Sequence, residues 1–255
     1  MKSGKLHYDT DCMKIVLALL LIIAFLMILK IVDTRYIAKA TEDMSKTINV
    51  SKEENTVEIK QPLKVPLIMQ EPELMRGCEV TSLAMILQYN HINVDKMELS
   101  KNINHVPFID EEGIRGNMHE GFVGDIEDLA NDGLGVYVEP IIELAKKYVS
   151  SERIVNLTGK NIKDLYDQID KGHPVWVINN STFQLLDSDR FETWNTKDGD
   201  MQVTYDQHSV VITGYDDKYI YINDPLYSEP NRKLNRIDFE KSWEQMGSQA
   251  MTIKE

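Results

Sequence analysis

GCEVTSLAMILQYN, residues 77–90, and HSVVITGYDDKYIYINDP, residues 208–225, decide the fold between them. In the first stretch Val80, Leu83, Ala84 and Leu87 recur at three- and four-residue spacing, which predicts a helix over 78–90 with one apolar stripe. Gly77 precedes it, so Cys78 opens the helix. In the second stretch two β-rich runs, 208–213 and 219–223, flank Gly214-Tyr215-Asp216-Asp217-Lys218, the pattern of a hairpin. If the turn centres on Asp216, His208 stands opposite Asp224. Side chains alternate along strands, so His208, Val210 and Ile212 share a face with Ile220, Ile222 and Asp224. That face is apolar except for an imidazole and a carboxylate at its end.

These three polar residues have a common chemistry. A thiol at a helix start meets unpaired backbone N–H groups and the positive end of the helix dipole, and both favour thiolate. A thiolate nucleophile needs a base and a group that orients the base, and His208 with Asp224 supplies the pair. Cross-strand neighbours lie about 5 Å apart at Cβ, within hydrogen-bonding reach of their side chains. Gln70 lies eight residues before Cys78, at the end of an expected strand over 65–69. Its amide and the Cys78 backbone N–H are candidate oxyanion donors. Taken singly, each residue also has a plainer meaning: a small buried thiol, a satisfied His–Asp pair at a sheet end, a surface glutamine. The other histidines (His7, His91, His105, His119 and His173) fall before an apolar run, in expected loops or at helix ends.

Further out, the periodicities predict helices over 95–103, with Asp95 as cap, over 140–149 and over 162–170, capped by Asn161. Pro174 to Ile178 reads as a strand, Phe239 and Trp243 mark a short helix, and 250–253 reads as a closing strand. Residues 104–138 and 181–206 carry no clear pattern. Helices at the front and strands at the back give an α+β class. Metal chemistry has no signature: HExxH and CxxC are absent, and Asp187, Asp189, Asp198 and Asp200 do not follow an EF-hand spacing. No cofactor is expected.

The N-terminus has a different composition. From Ile15 to Leu29 no side chain is polar, and Lys30, Ile31 and Val32 extend the run to 18 residues. A bilayer takes about 20 apolar residues, with a lower limit near 17. The expected organisation is a short segment over 1–14, a transmembrane helix over 15–32, a stalk over 33–62 and a globular domain over 63–255. A secreted form, cleaved after the small-residue stretch Ala38-Lys39-Ala40, is the alternative. Cys12 precedes the apolar run, unlike a lipoprotein cysteine. With 28 basic residues against 41 acids, the chain has a net charge of −13. Nucleic acid is thereby excluded as an expected partner, since phosphate binding needs a basic footprint.

VPLIMQEPELMRGCEVTSLAMILQYNHINVDKMELSKNI (65–103) resembles the opening of the C39-like group of bacterial cysteine peptidases, related to the double-glycine leader peptidases of the papain-like superfamily. The resemblance continues through GLGVYVEPIIELAKKY, GHPVWVI, QHSVVITGYDDKYIYINDPL and FEKSWEQMGSQAM, most of residues 63–251. It implies a papain-like α+β fold with the cysteine heading a central helix packed on an antiparallel sheet. Position by position it implies Cys78 as nucleophile, His208 as base, Asp224 as orienting acid and Gln70 as oxyanion donor. The interval from Gln70 to Cys78 is longer than in the transporter-linked peptidases. No transporter domain follows, so a leader-peptide substrate does not carry over. The expected partner is a peptide or protein substrate, and the family's usual setting favours a domain outside the cytoplasm on an N-inside anchor. Two other uses of the same fold stay open: an acyltransferase or cross-linker working through the same thioester, and a surface binding module without turnover.

Overall fold

The computed structural model describes residues 61–255 and, ahead of them, residues 20–39 apart from 22, 25 and 28. Two compact units divide the chain, Met1–Glu58 and Ile59–Glu255. In the first, the described residues of 20–39 form a helix, α1, with exposed side chains. Among the described residues no helix is long and apolar enough to cross a membrane. Much of the expected span over 15–32 lies outside the described residues, as do the segment over 1–14 and residues 40–60 of the stalk.

The second unit opens with α2 (Cys78–Tyr89) and α3 (Lys96–Asn102), then two short strands, β1 (His105–Val106) and β2 (Phe122–Val123). Helix α4 (Val138–Ala145), β3 (Ile154–Asn156), α5 (Ile162–Asp170) and β4 (Val175–Asn180) follow. A hairpin of β5 (Glu192–Thr196) and β6 (Gly199–Val203) precedes β7 (Gln207–Tyr215), β8 (Tyr219–Asn223) and β9 (Arg232–Asn235). Helix α6 (Arg236–Gln245) and β10 (Ala250–Ile253) close the chain. The main sheet is antiparallel, in the order β3-β10-β4-β7-β8-β9.

Strand alternation sends the sheet's side chains to two cores. Trp176, Ile178, Val211, Met251 and Ile253 meet α2, α3 and α4 on one face. Val175, Val177, Val210, Ile212, Ile220 and Ile222 meet α5 and α6 on the other. Helix α2 is buried continuously from Cys78 to Leu87, more than its apolar stripe predicts. The sheet covers one side of it, and α3 and α4 cover others. Its polar groups therefore need internal partners: Ser82 Oγ donates to the Ser209 carbonyl at 3.1 Å, and Trp176 Nε1 donates to the Glu79 carbonyl at 3.0 Å.

The caps follow the sequence: Asp95 accepts the Glu98 N–H at 2.8 Å, and Asn161 and Asp164 form a capping box. The expected strand over 65–69 does not form a ladder. Pro66 has no N–H to give. The segment lies along the sheet through single bonds, Leu63 N–H to the Thr213 carbonyl at 2.8 Å and Asn223 Nδ2 to the Val65 carbonyl at 2.9 Å. Gly214 permits this approach, since a Cβ there would lie 3.0 Å from Pro62 Cα.

Candidate active site

The site lies where β8 stops. Val211 pairs with Asn223 and Ile212 with Ile222, and the register shifts between Ile212 and Gly214. The turn arithmetic is therefore displaced by two residues: His208 is diagonal to Asp224, not opposite it. An even displacement leaves the faces unchanged, and the two side chains still meet. His208 Nε2 and Asp224 Oδ1 are 2.8 Å apart, both groups buried. On its other side His208 pairs with Asn179 of β4.

Asp224 is held from three directions. Oδ1 also accepts the Leu226 N–H at 2.9 Å, and Oδ2 accepts from Arg232 at 2.6 Å. Burial alone raises a carboxyl, but the His208 hydrogen bond and charge, the Leu226 N–H and Arg232 outweigh it and hold Asp224 below the ordinary carboxylate range. An ionised carboxylate only accepts, so Nε2 of His208 donates in this bond and Nδ1 is the nitrogen left to act as a base.

Cys78 heads α2 and is 7% exposed. Its thiol is pushed well up, first by burial and next by the charge of Glu79, while the Ser209 backbone N–H bonded to the sulfur pulls the other way. The helix start therefore does not produce the resting thiolate that position alone suggests; desolvation wins at a buried sulfur. Ser209 is the neighbour of His208 on β7, and the Asp224 charge also reaches the sulfur. The head of α2 is thus seated against the same few residues of β7.

Gln70 is buried and adjoins this corner. Its backbone N–H donates to the carbonyl of Pro225, the residue after Asp224, at 3.0 Å. One amide hydrogen goes to the Met75 carbonyl at 3.1 Å, which leaves Nε2 a second N–H, and Oε1 has no partner. Lys96 fixes the loop from outside, donating to the Met69 and Gln70 carbonyls at 2.6 and 2.7 Å.

Two charged residues escaped the sequence reading. Glu79 is 1% exposed. Its Oε1 accepts from the Val136 N–H at 3.2 Å and from Gln207 Nε2 at 3.0 Å. Its Oε2 has no hydrogen-bond partner, with the Cys78 thiol close enough to interact. Burial raises this carboxyl, and its hydrogen bonds offset that only in part. Arg232 was also missed. The available signal was its position eight residues after Asp224, too weak to use. Among the described residues no cluster of His, Cys, Asp or Glu has the arrangement of a metal site.

Known proteins share this chain's sequence pattern and, in one case, its fold. Residues 62–251 match the model of the Peptidase C39-like family. An uncharacterized protein of Bacillus subtilis (strain 168), YvpB, is 47% identical over 196 residues, 76% of each chain. The crystal structure of a candidate C39-like peptidase from Bacillus anthracis is 48% identical, with a TM-score of 0.73 over 77% of this chain and 98% of that one. A double-glycine motif protease crystallised with its leader peptide is 18% identical, with a TM-score of 0.38 over 76% of this chain and 93% of that one.

Proposed function

The chain belongs to the Peptidase C39-like family, and from that premise we propose that it is a cysteine peptidase in which Cys78 is the nucleophile, His208 the base and Asp224 the orienting acid. The observation that carries this reading is the buried His208–Asp224 pair at 2.8 Å, made through Nε2. It leaves Nδ1 as the basic nitrogen, on the residue next to Ser209, whose backbone N–H meets the Cys78 sulfur. A neutral, buried thiol suits this arrangement, because ionisation is coupled to proton transfer onto Nδ1. The thiolate attacks the scissile carbonyl, and the imidazolium returns its proton to the leaving amine. Water, activated by the same ring, then hydrolyses the thioester. The free Nε2 hydrogen of Gln70 and the Cys78 N–H are the donors for the tetrahedral oxyanion.

In the cell we place the domain outside the cytoplasm on a membrane anchor, a reading supported by the apolar run from Ile15 to Val32. The test of activity is a peptide-library digest with purified protein, read by mass spectrometry with and without an added amine. Cleavage to free carboxylates that disappears in Cys78→Ala supports the peptidase. Amine adducts in place of free acids would make it a transferase, and no turnover with a thiol of ordinary reactivity would make it a binding module. Gln70→Ala is expected to lower kcat about 10²–10³-fold, the usual cost of one oxyanion donor. Labelling of intact cells with an impermeant thiol probe tests sidedness: modified Cys78 supports the placement, and labelling only after lysis contradicts it.

A further inference from the structure

Asp224 divides its oxygens between two partners, and the second is a permanent cation. Arg232 NH1 lies 2.6 Å from Oδ2, while His208 Nε2 lies 2.8 Å from Oδ1. The register explains the meeting: Arg232 of β9 pairs with Ile222 of β8, two residues before Asp224 and on the same face. The guanidinium is itself fixed, 5.1 Å from the centre of the Phe183 ring and 4.9 Å from that of Tyr227. Phe183 packs against His208 at 6.0 Å and stacks on Phe239 at 5.9 Å. One aromatic ring therefore touches both the base and the cation that steadies its acid. The Arg232 side chain is 33% exposed whereas that of Asp224 is 2% exposed, so the cation closes the outer side of a buried carboxylate.

A buried carboxylate is costly unless its charge is compensated and its lone pairs are filled. Among the partners of Asp224 only Arg232 is a permanent cation; His208 and the Leu226 N–H are its other donors. We propose that Arg232 is a positioning residue of the site: it fixes the Asp224 carboxylate so that Oδ1 stays aimed at His208, and the Phe183–Tyr227 sandwich fixes Arg232. This rests on the triad reading above. The titratable groups around the carboxylate are His208 on β7, Cys78 on α2 and Arg232 on β9, with Glu79 beside Cys78.

Removing the Arg232 cation leaves Asp224 more basic and the corner more negative. Both changes oppose ionisation of the Cys78 thiol. Arg232→Gln should therefore move the pH profile upward and lower kcat about 10- to 100-fold, as loss of a group that orients a functional ligand commonly does. KM should hardly change. Arg232→Lys restores the charge without the planar fork, so its limbs should return toward wild type while kcat stays depressed. The profile is measured in two ways, as peptide turnover and as the alkylation rate of Cys78. Alkylation reads the thiol whether or not peptides are cut, so failure of the peptidase reading and failure of this one give different results. A folded Arg232→Gln protein with a lower Tm and an unshifted profile would reduce Arg232 to a structural ion pair and overturn the proposal. If Arg232→Gln does not fold, Arg232→Lys decides: a depressed kcat supports the proposal, and wild-type kcat contradicts it.

Discussion

Two carboxyl groups are buried beside Cys78, and they are held in opposite ways. Asp224 and Glu79 are each 1% exposed. Asp224 has an arginine, a histidine and a backbone N–H, and stays below the carboxylate range. Glu79 has only neutral donors on one oxygen and none on the other, and is pushed up. Glu79 lacks the cation that Asp224 has, and the two carboxyls are shifted in opposite directions. In the proposed reaction this separates two duties. Asp224 orients the base, whereas Glu79 sets the thiol: charge on it raises Cys78, and burial opposes that charge.

The largest effect is expected from breaking the charged side. Asp224→Asn keeps the shape but no longer fixes the proton on Nε2, and should lower kcat by about 10⁴, as for the equivalent change in a serine triad. Steady-state kinetics on any cleaved peptide checks it; a loss below tenfold would mean that Asp224 is only structural. An intermediate effect is expected at Gly135, which lets the chain pass over Glu79. A Cβ there would lie 2.5 Å from Glu79 Oε1 and 2.7 Å from Gln207 Nε2. Gly135→Ala should destabilise the fold by about 1–3 kcal/mol, the usual cost of overpacking, read as a lower denaturation midpoint at unchanged slope.

The smallest effect is expected from Glu79→Gln, which keeps the shape of the side chain. Its rate near pH 7 should stay close to wild type, while a charge on Glu79 would make the substitution matter more as pH rises. Stability carries the sharper signature. The folded carboxyl of Glu79 is raised, so the folded state holds its proton longer and stability falls as pH rises, from about 4.3, the unfolded value, through the raised folded value. Asp224 has the opposite slope: its contribution is present above about 3.9 and is lost as pH falls through its depressed folded value. Glu79→Gln should flatten the first dependence and Asp224→Asn the second. Melting curves from pH 3 to 8 distinguish them, and identical curves for the two variants would end the contrast.

Much of this corner could be read from residues alone because its elements have strong periods. The α2 stripe and the two β-rich runs around Asp216 place a thiol, an imidazole and a carboxylate on defined elements. The register offset did no harm, because a shift of two preserves the face. What stayed hidden has physical causes. β5 and β6 are largely exposed apart from Trp194, Thr196 and Val203, so the hairpin over 192–203 shows little apolar pattern. Segment 65–69 has strand composition, but Pro66 and its single bonds to β7 and β8 leave it without a ladder. Glu79 lies off the stripe of α2, where a charged side chain ordinarily meets water; only the three-sided packing of that helix buries it. Arg232 becomes significant only when β9 folds back beside β8.

The most direct measurement is the rate of Cys78 alkylation against pH, followed by intact mass and peptide mapping, in the wild-type chain and in His208→Ala. If His208 accepts the thiol proton, the wild type should be labelled rapidly at Cys78 near neutral pH, and the variant should react only as pH approaches the raised range of an isolated buried thiol. Equal profiles for the two proteins would show that imidazole and sulfur are not coupled.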